Sequence, residues 1–175
     1  MSEFERILYT EEQIAQRIRE VAQEISTRYQ GRPLKLIGVL KGSIFFLTAL
    51  ARQLEVPVKI DLLAISSFQK HRSSPGLVRI EKDLDEPIEG EDVLLVEDIV
   101  DTGFTTRYLL QTLAGRGPNS LAIVTLLDRT CRRIVQVPVE FRCFELDDRF
   151  VVGFGLDYRQ LYRNLGYLAV MKPEP

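Results

Sequence analysis

The architecture of the chain can be built outward from Val93-Leu94-Leu95-Val96-Glu97-Asp98-Ile99-Val100-Asp101-Thr102-Gly103-Phe104-Thr105-Thr106. Its apolar start predicts a strand covered on both faces, as in a parallel sheet. Two adjacent carboxylates follow, then a third, then a turn rich in Thr and Gly, with a helix expected from Thr105 to Gly115. In open α/β sheets, ligands sit beyond the carboxyl ends of strands. This turn suits a phosphate. Gly103 lets the backbone approach closely, and the helix start offers unpaired N–H groups and a positive dipole end. Thr102, Thr105 and Thr106 add hydroxyl donors. Ionised Glu97 and Asp98 only accept hydrogen bonds, so they match sugar hydroxyls. A ligand with vicinal hydroxyls and a terminal phosphate, the shape of ribose 5-phosphate, satisfies both halves. A helix N-terminus with capping threonines and favourable acids would also explain the turn. Against that, three carboxylates at the end of an apolar strand are costly if buried without partners. No GxxxxGK[ST] is present, so this is not a P-loop.

Strands and helices alternate around this segment. Thr10-Glu11-Glu12-Gln13 reads as a capping box, followed by Ile14, Ile18, Val21 and Ile25 at helical spacing. Gly31 and Pro33 end that helix. Leu34 to Leu40 predicts a buried strand, and Ile44 to Gln53 a helix with Phe45, Phe46, Leu47 and Leu50 available to the core. Val56 to Ile65 contains the next strand. Ser66 to Gly76 is polar, basic and punctuated, and is expected to be an exposed loop, with Leu77 to Lys82 returning as a strand. Leu121 to Leu127, Val135 to Phe144 and Arg149 to Val152 complete the expected strands. The pattern predicts an α/β fold with a largely parallel central sheet flanked by helices. Without repeat or linker, residues 1–175 are expected to form one domain.

Composition narrows the chemistry. The 175 residues carry 23 Lys and Arg against 25 Asp and Glu, a formal charge of −2. A nucleic-acid coat would normally be basic, so no nucleic-acid partner is expected. The one histidine, His71, excludes a multi-histidine metal site, and two cysteines cannot make a four-cysteine zinc site. Cys131 and Cys143 are expected to be reduced thiols. No apolar run is long enough to span a membrane, and the first residues lack the features of a signal peptide. A cytoplasmic protein whose chemistry rests on carboxylates, hydroxyls, amides and Lys/Arg is expected.

The Val93–Thr106 segment resembles the phosphoribosyl pyrophosphate (PRPP) motif of type I phosphoribosyltransferases: apolar residues, two acids, two apolar residues, Asp-Thr-Gly and a Thr-rich end. From about Leu36 to Val170 the chain is similar to the hypoxanthine-guanine phosphoribosyltransferases. Leu40-Lys41-Gly42 resembles the family's pyrophosphate loop, which often has a cis peptide between the Leu and Lys positions. Ser67-Phe68 stands where the family has Ser-Tyr in a mobile lid, and His71 lies in the same loop. Leu126-Leu127-Asp128-Arg129 stands where Lys commonly follows Leu-Leu-Asp. Phe150 to Tyr158 resembles the purine-binding strand and loop, and Arg163 the pyrophosphate-binding arginine.

The resemblance implies transfer of 5-phosphoribose from PRPP to hypoxanthine or guanine, giving IMP or GMP, and a small hood built from the two chain ends. It makes Asp101 the catalytic proton acceptor. Glu97 and Asp98 would hold the ribose hydroxyls, directly or through Mg²⁺, and Asp157 would also contact Mg²⁺ beside the purine. Thr102, Gly103, the Phe104 amide, Thr105 and Thr106 would cradle the 5′-phosphate. Lys41, Gly42 and Arg163 would meet pyrophosphate, with Arg133 supporting that region. Phe150 would stack on the purine, Val151 would read it through its backbone, and Arg129 would donate to O6, favouring a 6-oxopurine. A homodimer or homotetramer is expected. Two departures stand out: Arg129 replaces Lys, and Phe68 replaces the lid Tyr. A regulator with this fold that binds a nucleotide or RNA is the alternative; the purine-binding segment argues against it. A phosphoacceptor receiver domain would share the acidic strand end but needs more chain after it.

Overall fold

The computed structural model describes residues 3–68 and 77–172. Two sheets organise it. The larger contains β2 (Leu34–Leu40), β3 (Val58–Phe68), β4 (Leu77–Lys82), β5 (Asp92–Val100), β6 (Ser120–Asp128) and β7 (Phe141–Glu145), in the order β4-β3-β2-β5-β6-β7. All neighbours are parallel except β3 and β4. The smaller is antiparallel, with β1 (Phe4–Tyr9), β9 (Leu168–Met171) and β8 (Val151–Val152) in the order β1-β9-β8. It joins the two chain ends.

The period-two alternation of strands decides the layers. On β5, Leu94 and Val96 enter one core cluster and Val93 and Leu95 the other. The first cluster includes Ile14, Ile18, Val21 and Ile25 of α1 (Glu11–Arg28) and Phe46, Leu47 and Leu50 of α2 (Ser43–Ala51). It continues into Val151, Leu168 and Val170 of the small sheet. The second takes Leu109 and Leu113 of α3 (Phe104–Ala114). β5 is thus covered on both sides, as its apolar run requires. α1 begins at the expected capping box: Thr10 Oγ1 accepts from the Gln13 N–H, and Gln13 Oε1 accepts from the Thr10 N–H.

Some expectations need correction. Phe45 does not enter the core; 36% of it remains exposed while Phe46 is fully buried. Val135 to Glu140 is not strand, and only Phe141–Glu145 pairs with β6. The Val135 N–H instead donates to the Thr102 carbonyl. Ser66, Ser67 and Phe68 belong to β3 rather than to a loop, with Ser67 and Phe68 opposite Val78 and Leu77. The rest of that expected loop, His71 included, lies outside the described residues.

Candidate active site

β5 continues through the two carboxylates. Glu97 pairs in register with Thr125 of β6, and Ile99 with Leu127. Alternation puts Glu97 on the side of Val93 and Leu95, and Asp98 on the side of Leu94 and Val96. Glu97 is buried, and that burial, with Asp98 nearby, holds its carboxyl well above the usual range. Burial pushes Asp98 up to about 6, partly offset by the Ile99 N–H and by Arg163. Each acid would be easier to ionise with a cation or hydroxyl donors in front of it.

The loop after β2 lies against Asp98. The Leu40–Lys41 peptide is cis, as the resemblance implied. Gly42 has no room for a side chain, since a Cβ there would stand 1.6 Å from Asp98 Oδ2. Gly155 also packs closely on this loop: its Cβ would stand 2.0 Å from the Gly42 carbonyl oxygen. Asp157 follows, with Oδ1 2.5 Å from Arg163 Nη2 and Oδ2 accepting the Gln160 N–H at 2.8 Å. Arg163 Nη1 donates to the Gly155 carbonyl at 2.7 Å.

The turn into α3 is held from behind. The Ile134 and Val135 N–H groups donate to the Thr102 carbonyl at 2.9 Å. Arg133 lies behind the same turn. Its Nε donates to the Asp101 carbonyl, its Nη2 to the Val100 carbonyl, and it pairs with buried Asp128. Gly103, at φ 89°, is the N-cap of α3 and supplies no side-chain cap. The first-turn amides therefore receive no hydrogen bond from a capping side chain. Phe104 exposes its side chain.

One cavity of about 330 Å³ gathers most of the expected residues: Lys41 and Gly42; Glu97, Asp98 and Asp101; Thr102, Gly103, Thr105 and Thr106; Asp157 and Arg163. Leu40, named in the loop resemblance, also lines it, as do Val39, Ile65 and Ile99, which were not singled out from the sequence. Ile99 was legible, as an apolar residue between the acids and Asp101. Phe150 lines a different cavity, with Tyr158 in edge-to-face contact at 5.9 Å. Val151 is buried in β8. Arg129 is buried too, and its Nη1 lies 3.1 Å from Asp101 Oδ2.

A family model, the phosphoribosyl transferase domain, matches residues 6–159. The chain belongs to the phosphoribosyltransferase family. It is 42% identical over 173 residues to a hypoxanthine-guanine phosphoribosyltransferase of Staphylococcus aureus, covering 99% of this chain and 97% of that protein. A crystal structure of a hypoxanthine phosphoribosyltransferase from that organism has a TM-score of 0.94 at 42% identity, covering 98% of this chain and 93% of the other. A ternary substrates complex of a mutant Trypanosoma cruzi hypoxanthine phosphoribosyltransferase has a TM-score of 0.93 at 41% identity, covering 98% and 97%. In this phosphoribosyltransferase the cavity beyond β5 is therefore the candidate active site.

Proposed function

We propose that this phosphoribosyltransferase is a purine salvage enzyme that transfers 5-phosphoribose from PRPP to hypoxanthine or guanine, giving IMP or GMP and pyrophosphate. One observation carries this reading. A single cavity combines a helix start whose first amides have no intrahelical partner, two acids held above their usual range, and the cations Lys41 and Arg163. These are the polarities that a 5′-phosphate, ribose hydroxyls and a diphosphate require. Thr102, Gly103, Thr105 and Thr106 cradle the 5′-phosphate, with the Phe104 amide. Glu97 and Asp98 accept from the ribose hydroxyls. Lys41, Gly42 and Arg163 meet the pyrophosphate. Phe150, Val151 and Arg129 serve the purine.

In the reaction, purine N9 forms a bond to ribose C1′ as the C1′–O bond to pyrophosphate breaks, and pyrophosphate leaves with that electron pair. The proton on N7 goes to Asp101. Asp101 lines the cavity, and its buried Oδ1 has no hydrogen-bond partner among the described residues. Lys41 and Arg163 neutralise the charge that grows on the leaving group.

Mg²⁺ fits the acids Glu97, Asp98 and Asp157. Among the described residues no group of three or more His, Cys, Asp or Glu converges on one metal position. Mg²⁺ commonly keeps waters and leans on substrate phosphates as well as one or two carboxylates. When bound, it would supply charge neutralisation at the diphosphate.

The chain is read as one domain over 1–175, its hood made of β1, β8 and β9. Exposed Ile44 and Phe45 on α2 support a homodimer or homotetramer. No helix among the described residues is long and apolar enough to cross a membrane, and both cysteines are free, which supports a cytoplasmic enzyme. Incubation of PRPP, Mg²⁺ and hypoxanthine tests the reading. Saturable pyrophosphate release with one IMP per pyrophosphate is expected; no release over a range of PRPP and Mg²⁺ would refute it.

A further inference from the structure

We infer that Arg129 is a positioning residue: it ties the proton-accepting carboxylate of Asp101 to the backbone just ahead of Phe150. The inference rests on the proposed transfer reaction. What supports it is the partnership Arg129 makes in addition to any contact with a purine oxygen.

Arg129 follows the last residue of β6, and its own N–H donates to the Val100 carbonyl at 2.9 Å. The side chain then divides. Nη1 donates to Asp101 Oδ2 at 3.1 Å, and Nη2 donates to the Arg149 carbonyl at 2.8 Å. The Arg129 side chain is 7% exposed, whereas the Asp101 side chain is 36% exposed and reaches the cavity. One end of the pair is fixed in the protein and the other faces substrate. With Oδ2 held by Arg129, Oδ1 is the Asp101 oxygen without a partner among the described residues. The fork thus fixes the orientation of the Asp101 carboxylate at the cavity wall.

The observed arrangement uses arginine's fork. A planar guanidinium carries donors in a fixed fork and can hold two acceptors at once. A lysine ammonium at this position is a compact charge on a flexible stem, with no fixed geometry toward both. The Arg149 carbonyl belongs to the residue before Phe150. The fork therefore also links the acceptor to the segment assigned to the purine.

The test uses the full chain in four forms: wild type, Arg129→Lys, Asp101→Asn and the double variant. Arg129→Met is added to remove the charge, and PRPP binding by calorimetry monitors the fold of each form. Arg129→Lys is expected to lower kcat with hypoxanthine about tenfold, the size of a misaligned acid–base group, while the KM for PRPP stays within about twofold. Arg129→Met should lower kcat further. In the Asp101→Asn background, Arg129→Lys should cost less than about threefold, because contacting residues that act together are not additive. Full, independent cost in that background would overturn the inference, as would unchanged kcat in Arg129→Lys. An inactive wild type would instead refute the transfer reaction itself.

Discussion

Asp101 has one oxygen engaged by Arg129 and the other unpartnered among the described residues. Replacing it with Asn keeps the shape and removes the proton acceptor. Steady-state kinetics of Asp101→Asn should show kcat reduced about 10²- to 10⁴-fold, the usual contribution of a placed acid–base group, with PRPP binding little changed. Turnover equal to wild type would remove Asp101 from that role. Asp98 makes a different prediction. Burial lifts its folded value to about 6, while an unfolded Asp titrates near about 3.9. The folded chain then binds the proton more tightly. Its contribution to stability is fully present below about pH 4 and is lost as pH rises through 6. Asp61, Asp83 and Asp92 are shifted down, so their contributions have the opposite sign and change only in more acid solution. Between about pH 5 and 7.5, a carboxyl-specific slope should therefore separate wild type from Asp98→Asn. Thermal melts without ligand should show the wild type losing more stability than the variant across that window. Parallel slopes would contradict the assignment.

The turn between β5 and α3 depends on what lies behind it. Gly103 is in the left-handed region, and a Cβ there would stand 2.2 Å from the Val135 carbonyl oxygen. Gly103→Ala should therefore cost roughly 1–3 kcal/mol of stability, the scale of a strained backbone position. It should also weaken PRPP binding, because the turn must move to admit the methyl group. Denaturant unfolding and calorimetric PRPP titration would check both; full affinity in the variant would show that the turn does not hold the phosphate. The elements around this turn were legible to different degrees. β2, β5 and β6 announce themselves as apolar runs, and α1 by its capping box, because both signals are local. Val135 to Glu140 misled: it has alternating apolar residues, but its first N–H is spent on Thr102 and Pro138 cannot donate to a ladder. The Asp101–Arg129 pair was also hidden, since residue types at two strand ends do not fix the direction of a long side chain.

Chemistry-bearing residues from distant parts of the chain meet at one end of the large sheet. The small sheet behind Phe150 joins Phe4–Tyr9 to Leu168–Met171, and neither strand could be read from its own residues. Phe4–Tyr9 carries charges within a short run, and Leu168–Met171 has only four residues. Pairing across the length of the chain makes them strands, so only the family resemblance pointed to a hood. The acidic strand end and its turn were legible because their ligand chemistry is concentrated in one segment. Lys41, Asp157 and Arg163 look like ordinary surface charges until the fold brings them to that segment. If the assembled site transfers phosphoribose to 6-oxopurines, a single competition will show it. The enzyme is given PRPP, Mg²⁺ and equal amounts of hypoxanthine, guanine and adenine, and the nucleotides formed are separated. IMP and GMP without AMP is the predicted result; AMP as the main product, or no nucleotide at all, would contradict it.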